Sequence, residues 1–388
     1  MAECVIPVTH PAGIAMNRLR LPPPSLPDLV FVLLALAVPL VLGRQLLNSD
    51  GDLGRHLRVG EYILDHGLLH RDIFSFTRFG DAFIGYEWLS EALFAGVYRI
   101  GGLPLVAVGS ALLIATTYSY VVWWVLREGA DPLLGYLAAM VAAILGSFHW
   151  LARPHLFTLL GTALVLGQLE RRRDGARPWT FLPLFALWAN LHGGFLFGLI
   201  VIAIYVTGDL AEALTGPDRD QWFTRARRHA AALGFGVLGT LLTPYGLSVP
   251  VHVLGWFRNR WVIDNTQEYL SPNFHDPSAK VILAVFLLVV LALALSGRRP
   301  TYPRLFVILA TLASALIYQR NVPLFGLTAL PALALHLDPE WRRLGARWKM
   351  RLAFERDSPG RRSGPWALAF TLPLLLLTAH GMLHLLAG

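Results

Sequence analysis

A single cysteine, Cys4, stands in 388 residues, so the chain can form no internal disulfide and cysteine usage does not reveal a redox compartment. Charge is scarce too. Only 15% of residues are charged and 55% are hydrophobic, where a soluble domain carries about a quarter charged residues. That imbalance excludes a string of soluble domains. Catalytic signatures are also missing. There is no His-Glu-x-x-His, no Walker loop, no dinucleotide fingerprint and no Ser-His-Asp order. His192 belongs to no zinc-ligand spacing. No small-residue cleavage site follows the first apolar block, so that block is expected to remain as an uncleaved span.

What is present is long apolar runs, and mean hydropathy is +0.52. Asp28–Leu47, Leu103–Leu126, Phe195–Leu214 and Lys280–Ser296 have the roughly 17–25 residues that a bilayer core demands. The fold class is therefore all-α integral membrane, with about eleven transmembrane helices. Spans are placed near 28–47, 103–126, 133–148, 155–169, 178–190, 195–214, 230–246, 279–296, 304–318, 322–337 and 366–386. The expected organisation is a cytoplasmic tail over 1–27, a transmembrane module over 28–337, a basic cytoplasmic segment over 338–365 and a final span within 366–388. The long first outer loop, about 48–102, carries two amphipathic surface helices, near Leu57–Leu64 and Trp88–Ile100. In the second, Leu89, Leu93, Val97 and Ile100 recur at helical spacing beside Glu91 and Arg99.

Net charge is +8. The arginines form no stripe of the kind that binds nucleic acid, and no nucleic-acid partner is expected. They collect instead in alternate short loops: Arg171, Arg172, Arg173 and Arg177; Arg219, Arg225, Arg227 and Arg228; Arg298, Arg299 and Arg304; then the stretch from Arg342 to Arg362. The positive-inside rule puts these loops in the cytoplasm. The N-terminus is then inside and the C-terminus outside, in a bacterial cytoplasmic membrane.

With that topology the unusual polar residues share the outer side. Asp50, Asp52 and His56 follow the first span, and Glu87 opens the second amphipathic helix. His149, Arg153 and His155 lie between two spans, Asn190 and His192 between two more, Glu268 in a later loop, and Arg320 and Asn321 in another. Ionisable groups near bilayer depth are costly and mark function by default. Asp50 and Asp52 can hold a divalent cation through oxygen. Alternatively one of them is a general base tuned by Arg55 and His56, or the pair makes a turn and a helix N-cap. Arg153 and Arg320 suit a lipid phosphate, having a permanent charge and a planar donor fork; snorkelling to lipid headgroups is the alternative. No cofactor is legible beyond that candidate cation, and no metal ligand beyond Asp50 and Asp52.

Five phrases carry a resemblance: Asp50-Gly-Asp-Leu-Gly-Arg-His-Leu-Arg-Val-Gly-Glu61, Tyr86-Glu-Trp-Leu-Ser-Glu91, Ala152-Arg-Pro-His-Leu-Phe-Thr158, Trp188-Ala-Asn-Leu-His-Gly-Gly194 and Arg320-Asn-Val-Pro-Leu324. Together with the order of spans and the long acidic first loop, the chain resembles the GT-C superfamily of polytopic glycosyltransferases, closest to a largely uncharacterised bacterial group. The resemblance implies a hexosyl or pentosyl transferase using a polyprenyl-phosphate-linked sugar among membrane lipids, with an acceptor hydroxyl on a glycan, lipid or protein. It implies catalytic roles for Asp52 or Asp50, with Asp52 favoured, and a phosphate-binding role for Arg153 or Arg320. His56, Glu87, His155, Asn190, His192, Glu268 and Asn321 complete the expected substrate site. The alternatives are a transporter or flippase of a lipid-linked glycan or anion, and a structural subunit. A transporter needs polar groups at the midplane of a gate, whereas these gather at one side.

Overall fold

The computed structural model describes residues 24–49, 51–171, 177–256 and 258–347, with residue 373 besides. Asp50, the tail over 1–23, and the expected basic segment and final span beyond 347 lie outside the described residues. Among the described residues no strand forms; Arg71 and Ala82 make one isolated antiparallel bridge.

The first helix, α1 (Leu26–Asn48), starts at a capping box. Ser25 accepts from the Asp28 backbone N–H while the Asp28 carboxylate accepts from the Ser25 backbone. The chain then runs through α2 (Asp52–His66) to α3 (Trp88–Arg127). Gly102 takes φ +62° inside α3 and breaks it there. This is a left-handed value that a side chain resists. The kink separates a first arm over the site from a second arm that packs along α1.

Next come α4 (Pro132–Ser147), α5 (His155–Leu169), α6 (Phe181–Leu191), α7 (Phe195–Thr215) and α8 (Arg219–Thr240). Two short helices, α9 (Ser248–Trp256) and α10 (Arg260–Asn265), precede α11 (Pro277–Leu295), α12 (Tyr302–Ile317) and α13 (Val322–Arg347). α13 packs on α4 and α12, α7 on α8 and α12, and α8 on α6. Aromatic side chains such as Trp124, Tyr118, Phe181, Phe185 and Phe325 fill the fully buried centre.

Among the described residues five helical segments are long and apolar enough to cross a bilayer: Leu26–Asn48, Trp88–Arg127, Phe195–Thr215, Pro277–Leu295 and Gln319–Gly345. Pro132–Ser147, His155–Leu169 and Tyr302–Ile317 are apolar but shorter. The expected span at 178–190 is an 11-residue α6 after one 3-10 turn, and at about 1.5 Å per residue it falls well short of a 30 Å core. The expected span at 230–246 is displaced. α8 begins at Arg219 and ends at Thr240, and its first half is polar. α13 does not stop at 337 but continues to Arg347. Asp338 there accepts from the Asp131 backbone N–H and from Arg342.

On the first arm of α3 burial does not follow polarity. Leu93 is 47% exposed and Ile100 78% exposed, while Glu91 is 2% exposed. Ser90, Phe94 and Ala95 are buried with it. An apolar exterior suits a helix whose surroundings are lipid, and the carboxylate turns toward protein. α2 lies against this arm at close range. A Cβ on Gly60 would stand 2.0 Å from the Glu91 carbonyl oxygen, so the crossing requires glycine.

Candidate active site

The site is assembled at one end of the bundle, where the loops before α2, α3, α5, α7, α11 and α13 meet. Asp52 opens α2 and is half exposed. Its carboxylate takes a 2.8 Å ion pair from Arg153, which precedes α5. The same guanidinium reaches Glu268 at 3.6 Å. Arg320, in the turn before α13, reaches Glu268 from the other direction at 3.2 Å, and His149 approaches it at 3.6 Å. Asp52, Arg153, Glu268 and Arg320 thus form one line of alternating charge, drawn from four separate parts of the sequence. Arg320 also stacks over the Tyr269 ring at 4.4 Å, a cation–π contact that sets its direction.

Beside this line is a cavity of about 290 Å³. His155, His192, Arg320 and Asn321 line it, joined by Tyr86, Thr158, His252 and Tyr269. Apolar side chains line it too, among them Leu196, Phe197, Ile200, Val253 and Trp256. Asp52, His56, Glu87, Arg153, Asn190 and Glu268 do not line the cavity; they stand behind or beside its wall.

Behind His192 lies a buried cluster. Glu87 Oε1 is 3.4 Å from His192 Nε2. His56 Nδ1 is 3.1 Å from Glu91. Arg55 spans both carboxylates, at 3.6 Å from Glu87 and 3.5 Å from Glu91. Burial pushes the Glu87 carboxyl up to about 7 and holds His56 down at about 4. Burial and the Arg320 charge likewise hold His192 at about 3, so its ring is neutral.

The tautomer of that ring follows from its partners. His192 Nδ1 accepts from the Gly194 backbone N–H at 3.0 Å, so the proton resides on Nε2, facing Glu87. Thr158 completes the chain. Its Oγ1 accepts from Trp188 Nε1 at 3.1 Å, and its hydroxyl donates to His192 Nδ1 at 2.6 Å. Gly194 has no room for a side chain, since a Cβ would meet Thr158 Oγ1 at 2.1 Å. His155 is fixed differently: its Nε2 donates to the His149 carbonyl at 2.8 Å.

Asn190 is spent on scaffolding. Its Oδ1 accepts from Trp88 Nε1, and its Nδ2 donates to the Ala186 and Leu242 carbonyls. Asn321 donates to Ser314 Oγ at 2.8 Å at the cavity wall. Glu91, Thr158, His252 and Tyr269 were not singled out as site residues from the sequence, and Arg55 only as a neighbour of the candidate base. A usable signal existed for Glu91 only, because Glu87 and Glu91 are four apart and so share a helix face.

Among the described residues, the donor set with metal-binding geometry is His56, Glu87 and Glu91, whose ligand atoms lie within 4.8 Å of one another. One imidazole and two carboxylates suit a borderline divalent ion. Arg55 already supplies positive charge to both carboxylates. The candidate cation site at Asp52 meets the same obstacle, because Arg153 holds that carboxylate.

No family model matches the chain, and no curated protein does either. Solved structures do. The apo oligosaccharyltransferase of Archaeoglobus fulgidus aligns with TM-score 0.55 at 16% identity, over 93% of this chain and 54% of that one. The same enzyme tethered to an acceptor peptide gives 0.55 at 15% identity, with the same shares. The archaeal oligosaccharyltransferase AglB from that organism, in complex with an inhibitory peptide and a dolichol-phosphate, gives 0.53 at 16% identity. This chain spans about half the length of these neighbours. The likeness runs through nearly all of the present sequence, and the chain therefore shares the fold of the part of these structures that it covers.

Proposed function

We propose that this protein is a membrane glycosyltransferase that moves a sugar from a polyprenyl-phosphate donor to an acceptor hydroxyl on the non-cytoplasmic side. The observation that carries the reading is the alternating line Asp52–Arg153–Glu268–Arg320 beside a cavity lined by both polar and apolar side chains. A phosphate needs the arginines, an isoprenoid needs apolar lining, and an acceptor needs a base. The fold shared with the oligosaccharyltransferases agrees with that combination, although fold alone assigns no activity.

In this mechanism the acceptor oxygen attacks the anomeric carbon of the sugar. Asp52 takes the hydroxyl proton as the new C–O bond forms. The bond from the anomeric carbon to the phosphate oxygen breaks, and its electron pair leaves with the polyprenyl phosphate. Arg153 and Arg320 stabilise the charge growing on that phosphate, where preorganised donors contribute most. Glu87, through His192, orients the group in the cavity, and His155, Asn321 and Tyr86 shape the sugar pocket. Asp50 is the second candidate base. A divalent cation, where one binds, would sit on His56, Glu87 and Glu91, and would add positive charge behind His192.

The test is transfer of radiolabelled sugar from polyprenyl-phosphate donors by purified protein in lipid. Asp52→Asn is expected to reduce transfer by about 10²–10⁴-fold. Full transfer by both Asp52→Asn and Asp50→Asn removes the aspartates from the mechanism. Uptake of the lipid-linked sugar without product would favour a flippase instead.

A further inference from the structure

We propose that Glu268 is a resident anion: its carboxylate occupies the place of a substrate phosphodiester in the resting site and is displaced when that group binds. The inference rests on the phosphate-binding reading above and names the chemical class of the phosphate.

One carboxylate faces three basic groups. Arg153 lies at 3.6 Å, Arg320 at 3.2 Å and His149 at 3.6 Å. Charge-assisted hydrogen bonds to a carboxylate close to about 2.7–2.9 Å, and Arg153 does close to 2.8 Å on Asp52. The same guanidinium therefore makes a tight bond to one carboxylate and a slack one to the other. All three distances to Glu268 lie beyond that charge-assisted range. A phosphodiester offers two ester oxygens besides its two charged ones, and so more acceptors than Glu268 for the same three groups.

The carrier of Glu268 is built to let its side chain go. Glu268 sits in the 3-10 turn Gln267–Tyr269, between α10 and α11, and not inside a long helix. The backbone on its C-terminal side is pinned by the Gln319 N–H to the Leu270 carbonyl at 2.8 Å. Tyr269 is pinned by the Trp256 indole at 2.9 Å and by the Arg320 face. Rotation about the Glu268 side-chain bonds frees the arginines and breaks no helix. Charge balance selects the ligand. A phosphodiester carries one negative charge, as Glu268 does, so the exchange leaves the net charge of the site unchanged. A pyrophosphate would bring additional negative charge beside Asp52. The exchange points to a sugar donor linked through a single phosphate.

The experiment measures binding without transfer, so its failure and a failure of the transferase reading are separate events. Protein in phosphatidylcholine nanodiscs is titrated calorimetrically with dimethyl phosphate, farnesyl methyl phosphate and pyrophosphate. Glu268→Gln is expected to bind both diesters about tenfold tighter than wild type, and Arg320→Ala to lose most of that binding. Carbodiimide footprinting of the wild-type protein should show Glu268 labelled more readily as dimethyl phosphate saturates. Diester binding that is unchanged or weaker in Glu268→Gln overturns the proposal. So does a flat footprint in protein that binds the ligand, which decides the matter if the variant does not fold. Pyrophosphate binding tighter than either diester overturns the single-phosphate assignment. A farnesyl diester that binds better than dimethyl phosphate supports a lipid-borne donor. Equal affinities keep the displacement but overturn the lipid-borne source.

Discussion

The two ends of the same helices treat the same residue types in opposite ways. α5 has 15 residues and so spans about 22 Å, with the site at its start and Glu170 just past its end. There Arg304 closes on Glu170 at 2.6 Å and adds a second contact through Nε. The Tyr205 hydroxyl donates to the same carboxylate at 2.8 Å. Asp209 bonds His229 at 2.6 Å, and Arg299 forks onto Glu212 at 2.7 and 3.0 Å. At the site end the contacts to Glu268 range from 3.2 to 3.6 Å. At one end Glu170 and Glu212 are closed by their arginines, and Asp209 by His229. At the other, Glu268 is shared at longer range among Arg153, Arg320 and His149 beside a cavity. The first arrangement holds helices together, and the second is ready for a ligand.

The contrast breaks most sharply if stability is measured at both ends. Removing one partner of a buried ion pair leaves an uncompensated charge, at a cost of about 3–5 kcal/mol. Arg304→Leu should therefore unfold the protein many degrees lower in a thermal scan in detergent. Arg320→Leu, a half-buried pair with slack geometry, should cost about 1 kcal/mol or less. Equal losses at the two ends would erase the distinction. Activity should run the other way. Arg153→Ala removes a donor aimed at the leaving phosphate, and transfer is expected to fall about 10²–10³-fold with the melting temperature little changed. A variant that keeps its transfer rate would show that Arg153 serves only to restrain Asp52.

Much of the site end was legible because its residues lie in short loops between apolar runs. Arg153, His192, Arg320 and Asp52 could be placed on one side by counting spans. At the other end the sequence located the arginines and not their partners. Arg225, Arg299 and Arg304 read in the sequence only as loop charges that set topology, and their partners Asp209, Glu212 and Glu170 are 16 to 134 positions away. Pairing at that range is a product of packing, which no local pattern carries. Glu91 failed differently. Helical spacing put Leu93 and Ile100 beside Glu91 and Arg99, but burial does not follow polarity there, since Glu91 is 2% exposed and Ile100 78%. Asn190 ties α6 to Trp88 and to Leu242, just past α8, through two of its three hydrogen bonds, and that pairing at long range is not legible in the sequence.

A smaller effect tests how rigidly the site end is held. Gly60 lets α2 approach the Glu91 carbonyl, and a methyl there forces the helices apart. Gly60→Ala is expected to lower stability by about 1–3 kcal/mol and to loosen the contacts of His56 and Arg55 to Glu91. Transfer should then fall while the helical circular-dichroism signal stays. A variant as stable and active as wild type would mean that the α2–α3 crossing can slide without disturbing the cluster.

The gentlest probe is pH, which isolates Glu87. Its carboxyl is raised to about 7 by burial, against an ordinary 4.5, so between those values the folded protein holds more protons than the unfolded chain. The contribution of Glu87 to stability is therefore fully present below pH 4.5 and is lost as pH rises through 7, with a slope of at most about 1.4 kcal/mol per unit. Arg55 and His56 face it from α2, Glu91 from its own helix and His192 from the turn before α7. His56, held down at about 4, works in the opposite direction between pH 4 and 6.5, so the raw stability curve mixes both. The difference between wild type and Glu87→Gln removes the shared terms. Melting temperatures of the two should diverge in favour of the variant from about pH 5 upward and level off above 7. A difference that is flat across that window would mean that Glu87 stays ionised throughout, held by Arg55, and the buried cluster would then belong with the satisfied ion pairs at the other end of the bundle.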